Sequence, residues 1–552
     1  MISLSYSTQN IKIKTKENLY LRFLLLIASA MWAYWAFWAL ITPVTVWDSN
    51  AYNIARIDLE LQGGLFNNPY INDSRQIFMT WVFDATSLPF HLIGKFEALP
   101  SFLCLSGIIL VTYRLTKRYF GQRAGVYTTL SILSMPCLMY QATSTKPDIA
   151  VVFFLSCWLL AIFEYKRNKK NIYLFIMALA LSLAAGAKAT GVLFFPLLTT
   201  ISVALLIKDI KSTVFFSYSL LINMLLFAGI ENYINNFIIF HHIFGPVNQR
   251  AANPDFIKGA LANLIRVIYC NTTTGYESFV NRDTMLTHVW EAFSRNTVKI
   301  LHLTNLGFQK DINIYLDDTN MRFLKNSTES ESDYGPIASL GLWFSLIYVF
   351  LRINIKNPKW WLALSGFIYL FCINAVIGMG LWGNRYMIGG IVLTTTLLSI
   401  SIGQTKIKIL HLLFLITCIF SMTFTALASF NRKPSDVTEA ISHPDIFQLR
   451  ENPRIIPIYE DIKQLVNTKQ IESITLFAGE DAWILPFYHI NKLKVYSTPN
   501  PTNMKLKNKD VILALQCDFP DNIKKHLKII RIYKGGGSFW GRDSTLYQYI
   551  DN

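Results

Sequence analysis

Long apolar runs separated by short polar connections dominate the first four-fifths of the chain. A spanning helix needs about 17 to 25 such residues, because every backbone polar group must be satisfied inside the segment once water is gone. Eleven runs qualify, at approximately 22–42, 98–116, 123–142, 147–165, 172–188, 190–207, 212–232, 336–353, 359–380, 386–402 and 407–429. The fifth and sixth are short and nearly continuous. From about residue 431 the pattern changes. Hydropathy drops, and the β-prone runs SITLFAG, LKVYST, DVILALQ, KIIRIY and TLYQYI interleave with helical stretches such as EDIKQLVNTK. This predicts an α-helical polytopic membrane domain over residues 1–430 and a small α/β domain over 431–552.

The charges orient these runs. Lys and Arg favour the cytoplasmic side of spanning helices, so heavy and light loops should alternate. They do: Lys12, Lys14, Lys16 and Arg22 precede the first run, and Arg114, Lys117, Arg118 and Arg123, then Lys166, Arg167, Lys169 and Lys170, mark the next loops on that side. Lys208 with Lys211, then Arg352, Lys356 and Lys359, then Lys406 with Lys408 continue the series, whereas the opposite short loops hold only Lys146, Lys188 and Arg385. The expectation is a multi-pass plasma (inner) membrane protein with a cytoplasmic N-terminus and an extracytoplasmic, or periplasmic, C-terminal domain. Two long outer segments, 43–97 and 233–335, share that outer face. The first 22 residues are too polar for a signal-peptide core and no small-residue cleavage site follows, so the first run reads as a signal anchor.

Composition agrees with the pattern. At 52% hydrophobic and 14% aromatic residues, the chain carries more apolar material than a soluble core uses. The formal charge of +16 sits in the loop clusters just described, not in a basic helix with stacking aromatics, so nucleic acid is not an expected partner. Seven scattered Cys show no CxxC pair and no metal spacing, and no disulfide framework is predicted. No internal repeat or low-complexity linker is visible.

Ionisable residues at the ends of spanning helices are usually paired or functional. Four stretches stand out on the predicted outer face: Asp48 in WDSNAY, Lys146 and Asp148 in STKPDIA, Lys188 in AAGAKATG, and Arg385 in WGNRYMIGG. A carboxylate near several cations suits a reaction in which a base deprotonates an acceptor hydroxyl while cations hold a leaving lipid phosphate. Asp48 is the expected base. Arg385 offers a planar fork for phosphate, and Lys146 and Lys188 offer point charges. If residues 48–61 are helical, Asp48, Tyr52 and Arg56 stack on one face while Ile54, Ile57 and Leu61 face elsewhere. The stretches NPYINDSRQIFMTWVF and LPFHLIGKF add Asn72, Asp73, Arg75, Gln76 and His91, fitting a second interfacial helix and a polar pocket wall.

Plainer readings accompany each residue. Asp48 and Asp148 could cap helices, Lys146 and Lys188 could snorkel as anchors, and Arg385 between Trp382 and Tyr386 could belong to an interfacial belt. His91, His241, His242, Asp317 and Asp318 form no HExxH or closely spaced ligand set, so no metal is expected. Asn72, Asn271 and Asn326 head N-x-S/T triplets that chance explains unless the host glycosylates secreted Asn.

The chain resembles the GT-C superfamily of integral-membrane glycosyltransferases, in its polyprenyl-phosphate-sugar-dependent branch of protein O-mannosyltransferases and aminoarabinose transferases. WDSNAYNIAR resembles the first outer-loop motif with its catalytic Asp, and NDSRQ a later part of that loop. STKPDIAVVFF, GAKATGVLFFPLL, NNFIIFHHIFGP, ESDYGPIASLGL and NRYMIGGI resemble further segments in family order. Asn53 stands where many members carry His, and LPFHLI is the nearest counterpart of their His-Pro-Pro-Leu segment. The resemblance implies a GT-C fold of about eleven spanning helices, with interfacial helices in the outer loops. It also implies inverting transfer of a sugar from a polyprenyl-phosphate donor to an acceptor hydroxyl, with Asp48 as catalytic base. Arg385, Lys188, Lys146, Asp148, Tyr52, Arg56, Arg75, His91 and Tyr386 line the implied substrate site. No metal, cofactor or nucleotide sugar is expected; the partners are a lipid-linked donor, membrane lipids, and a glycan, lipid or protein acceptor. A lipid-linked glycan ligase or polymerase shares much of this chemistry. A lipid or sugar flippase would place its ionisable groups nearer the midplane, often in inverted repeats, which are not visible.

Overall fold

Each apolar run predicted above forms helix over most of its described residues in the computed structural model. It describes residues 11–63, 73–94, 96–246, 334–354, 356–377, 383–429, 431–479, 482–497, 510–517, 519, 521–535 and 542–550, with scattered positions between 257 and 267. Most of the outer segment 233–335, including Asn271, Asp317, Asp318 and Asn326, lies outside the described residues, as do Asn72 and Trp382.

Among the described residues, eight helices are long and apolar enough to cross a membrane: Leu19–Ile41, Leu99–Phe120, Asp148–Asn168, Ala189–Leu206, Ile210–Phe227, Pro358–Val376, Gly383–Gln404 and Lys408–Leu427. Two more of the runs form the shorter apolar helices Asn171–Ala187 and Pro336–Leu351. The run 123–142 is broken into Gln122–Leu133 and Pro136–Ala142. Pro136 has no N–H to continue the first helix and suits the opening turn of the second. The chain is a multi-pass membrane protein.

It divides into two compact units. The first comprises Met1–Phe37, Ser106–Tyr140 and Asn253–Ser429. Between helices in lipid the hydrophobic drive is weak, and close packing of small residues takes its place. Gly366 and Gly390 illustrate this: a Cβ on Gly390 would stand 2.8 Å from the Gly366 carbonyl oxygen. Hydroxyls bond across other helix contacts of the same unit, Ser131 Oγ to Ser399 Oγ at 2.8 Å and Ser345 Oγ to the Thr394 carbonyl at 3.1 Å.

The second unit comprises Trp38–Leu105, Gln141–Ala252 and Phe430–Asn552. Its C-terminal part holds a mixed sheet of β1 (Ser473–Ala478), β2 (Lys494–Ser497), β3 (Val511–Leu515), β4 (Leu527–Tyr533) and β5 (Ser544–Tyr549), in the order β2-β1-β3-β5-β4. β1 runs parallel to both β2 and β3, and β5 pairs antiparallel with β3 and β4. These are the five runs the alternation predicted. β3 is buried along its whole length because both faces are covered. Val511, Leu513 and Leu515 point into one cluster, and Ile512 and Ala514 into the other, as a two-residue period requires.

The larger cluster reaches beyond the C-terminal segment. Ile458, Tyr459, Ile462 and Val466 of the helix Ile456–Asn467 line it, and Val44, Ile54, Ile57 and Leu59 of the first outer segment join it. The apolar side of the Asp48 segment is therefore fixed against the α/β core.

Candidate active site

Asp48 opens an unusual stretch of backbone. The chain leaves the first spanning helix at Ile41, and after Asp48 it makes a π-helical turn over Ser49–Asn53 before the helix Ala55–Gly63. The wider turn breaks the even stacking expected of a regular helix over 48–61. Asp48, Tyr52 and Arg56 accordingly meet three different partners. Asp48 Oδ2 lies 3.3 Å from Lys146 Nζ; the Arg75 guanidinium stacks 4.4 Å over the Tyr52 ring; Arg56 pairs with Asp84 at 2.6 Å. Asp48 makes no side-chain cap bond. Its carboxylate keeps 17% exposure while the Lys146 side chain keeps 1%, so the acid rather than the ammonium reaches the surface of the site.

Lys146 is held by its own turn. Ser101 Oγ donates to its carbonyl at 3.3 Å, and Ser49 Oγ bonds Thr145 Oγ1, tying the turn to the residue after Asp48. Arg432, buried at 1% exposure, donates to the Thr143 carbonyl at 3.0 Å. Two residues past Lys146, Pro147 and Asp148 begin the helix Asp148–Asn168. Asp148, in the first turn, gains from the positive helix end, and its Oδ1 accepts from Lys188 Nζ at 2.6 Å.

Lys188 stands where two apolar helices meet. Its backbone is extended (φ −163, ψ 149), ending Asn171–Ala187 and opening Ala189–Leu206. Gly191 makes the sharp junction possible: any Cβ there would overlap the Ala184 carbonyl. The GAKATG stretch thus presents an ammonium from a helix break. Two carboxylate–ammonium pairs, Asp48–Lys146 and Lys188–Asp148, come together around the turn 143–148.

The remaining polar residues of the outer segment act as a frame. Arg56 also donates to the carbonyls of Met79 and Thr80, each at 2.8 Å. Burial pushes the Asp84 carboxyl up to about 6, against the lowering pull of Arg56 and, further off, Lys188; Glu60 adds to the rise. Arg75 is gripped by the buried Asp73. His91 lies 3.0 Å from Asp58 and 3.7 Å from Glu97; burial opposes its charge, but the two carboxylates outweigh that and raise it to about 9.

Arg385 and Tyr386 belong to the first unit, on the 3-10 turn Gly383–Met387. Arg385 Nη2 donates to Tyr386 Oη at 3.1 Å, and the guanidinium lies 5.1 Å from that ring. Tyr334 Oη donates to the Asn384 carbonyl at 2.6 Å, fixing the turn.

Residues 81–230 match the family described as Dolichyl-phosphate-mannose-protein mannosyltransferase. This bears out the GT-C resemblance. The matched segment contains Lys146, Asp148 and Lys188, together with Asp84 and His91. Two crystal structures of ArnT from Cupriavidus metallidurans are similar along the chain. The form bound to undecaprenyl phosphate has a TM-score of 0.46 at 12% identity, covering 95% of this chain and 98% of that one. The apo form has a TM-score of 0.44 at 12% identity, covering 96% and 98%. No curated protein matches this chain.

Sequence reasoning missed Asp58, Asp84, Glu97, Arg432 and His489. Asp58 and Asp84 sit in stretches that read as ordinary surface helix or loop, and their partners lie 28 to 33 positions away. Arg432, next to Lys433 just past a spanning helix, looks like an ordinary exposed charge, although its side chain is buried.

Proposed function

We propose that the protein is a membrane glycosyltransferase that moves a sugar from a polyprenyl-phosphate donor to an acceptor hydroxyl on the outer face of the membrane. The observation that carries this reading is the partly exposed Asp48 carboxylate, set 3.3 Å from a buried Lys146 beside the Asp148–Lys188 pair. The family match over 81–230 supports it by covering three of these four residues.

An alcohol is far too weak an acid to ionise unaided at neutral pH, so its proton must leave as the new bond forms. In this reading Asp48 accepts that proton. The acceptor oxygen bonds the anomeric carbon, the bond from that carbon to the phosphate oxygen breaks, and the polyprenyl phosphate departs with the electron pair. Attack opposite the phosphate inverts the anomeric configuration. Lys146 orients Asp48, and Lys188, braced by Asp148, offers positive charge to the phosphate. Arg56, Arg75 and Tyr52 position the segment that bears the base. For Arg385 the proposal rests on chemistry alone, since its planar fork suits a phosphate better than an ammonium does. The transfer itself needs no metal.

The test compares membranes containing wild type, Asp48→Asn, or no protein, using mass spectrometry of surface lipids, glycans and secreted proteins. Asn keeps the shape and removes the base. Asp48→Asn should lower transfer by about 10²- to 10⁴-fold with the protein still folded and abundant. A wild-type product level in Asp48→Asn, under conditions where removing the gene abolishes the product, would overturn the assignment.

A further inference from the structure

Apart from the two carboxylate–ammonium pairs, three potential metal ligands from distant parts of the chain converge. Asp58 comes from the helix Ala55–Gly63, His91 from the short helix Leu88–Ile93, and His489 follows the short helix Leu485–Tyr488 in the α/β segment. One ligand atom from each lies within 4.8 Å of the others. The His91 and His489 rings are 5.6 Å apart, and His91 Nε2 is 3.0 Å from Asp58 Oδ1. Tetrahedral ligands at about 2.0–2.2 Å from zinc stand roughly 3.3–3.6 Å from one another, so small side-chain adjustments close the site.

Second-layer contacts prepare both histidines. Gln448 Nε2 donates to Asn50 Oδ1 at 2.8 Å, which turns Gln448 Oε1 toward His489 Nδ1 at 3.2 Å. That network assigns the proton to His489 Nδ1 and leaves Nε2 with its lone pair. His91 is oriented alike, but its Nε2 carries a proton toward Asp58 that an arriving ion would displace. Its Nε2 is on the Asp58 side, and its Nδ1 faces Glu97 Oε1 at 3.7 Å, beyond hydrogen-bond length. Metal-bound imidazoles characteristically give the second nitrogen to a carboxylate or amide oxygen. Two buried atoms of the cluster, Asp58 Oδ2 and His91 Nδ1, have no hydrogen-bond partner among the described residues. Such orphaned atoms are costly and rare. His91 is 8% exposed, whereas His489 lies at the surface, leaving one side of the cluster open to an arriving ion.

We propose that Asp58, His91 and His489 bind one divalent transition-metal ion of the zinc class, with Glu97 and Gln448 orienting the two imidazoles. Two imidazoles and a carboxylate suit zinc better than calcium or magnesium, which prefer all-oxygen sites. The ion acts as a staple. It joins the α/β segment to the helix that continues from the Asp48 turn, so it holds the site-bearing segment without taking part in transfer.

The test uses the full-length protein purified in detergent, stripped with EDTA and titrated with zinc chloride. Bound zinc is counted by elemental mass spectrometry after gel filtration, and Tm is read with and without the ion. Wild type should retain one zinc per chain and gain Tm on loading. His489→Gln alters a surface side chain and should still fold, yet lose the bound zinc and the Tm gain. Gln448→Ala should keep the site with about 10- to 100-fold weaker affinity. Equal zinc retention by His489→Gln and wild type would overturn the proposal, as would retention well below one ion per chain by folded wild type.

Discussion

Arg56 and Asp84 form a nearly dry ion pair, each side chain 4% exposed. Removing one partner of such a pair strands a charge, which costs about 3–5 kcal/mol, whereas neutralising the acid in place costs much less. Arg56→Ala should therefore lower Tm strongly in detergent, and Asp84→Asn only slightly, since the amide oxygen still accepts from Arg56. The pH dependence follows from the same residue. Burial raises Asp84 to about 6 in the fold, above the ordinary carboxylate value of 3.8. The folded state then binds a proton more tightly than the unfolded chain does, so this group adds stability as pH falls through about 6 and no more below about 4. Between pH 7 and pH 5, wild type should gain Tm relative to Asp84→Asn; an equal change in both would refute the account. Asp48 was legible at this scale because a carboxylate next to an apolar run is conspicuous. Asp84 was not, because what distinguishes it is burial.

At the scale of elements, the junction at Lys188 shows how a local rule places a charged side chain. The two apolar stretches on either side are short and nearly continuous, but Lys188 and the nearby glycines mark their boundary. Gly191→Val should disrupt the junction, because the new side chain would meet the Ala184 carbonyl, and the loss should appear as a drop in folded, monodisperse protein by fluorescence-detected gel filtration. Gly94→Ala serves as a control for glycine replacement, since nothing lies within 4 Å of its added Cβ and only its left-handed φ of 70 is strained. The π-helical turn Ser49–Asn53 is the element that sequence reasoning got wrong. A helical phase drawn through Asp48, Tyr52 and Arg56 assumes 3.6 residues per turn, and nothing in SNAYN announces a wider one. Its consequence is chemical: Asp48 meets Lys146, while Tyr52 and Arg56 turn to Arg75 and Asp84.

For the whole molecule, the distribution of Lys and Arg makes a prediction independent of any side-chain contact. An alkaline phosphatase fused after Asn552 should be active and a fluorescent protein fused there dark, if the α/β segment is outside the cytoplasm. The reverse pattern would place the candidate site on the other face and remove the reason to expect an outer-leaflet donor. The two compact units each combine stretches far apart in sequence. Within the second, Val44, Ile54 and Ile57 share a cluster with Leu476, Trp483 and Leu513, more than 400 positions along the chain. The segment bearing Asp48 is thus shaped partly by residues that no local pattern connects to it.

The sequence by itself determined the helical runs, the five strands and the residues that form the two carboxylate–ammonium pairs. Each follows from a short-range rule: the length that satisfies a backbone in lipid, a two-residue alternation, or the cost of a charge at a membrane edge. Only the tertiary structure decided which acid meets which base, that Arg56 is enclosed by Asp84 and two carbonyls, and that Asp58, His91 and His489 converge. The reason is physical. Pairing energies depend on separation and burial in three dimensions, and a linear pattern encodes periodicity along one element but not the distance between two.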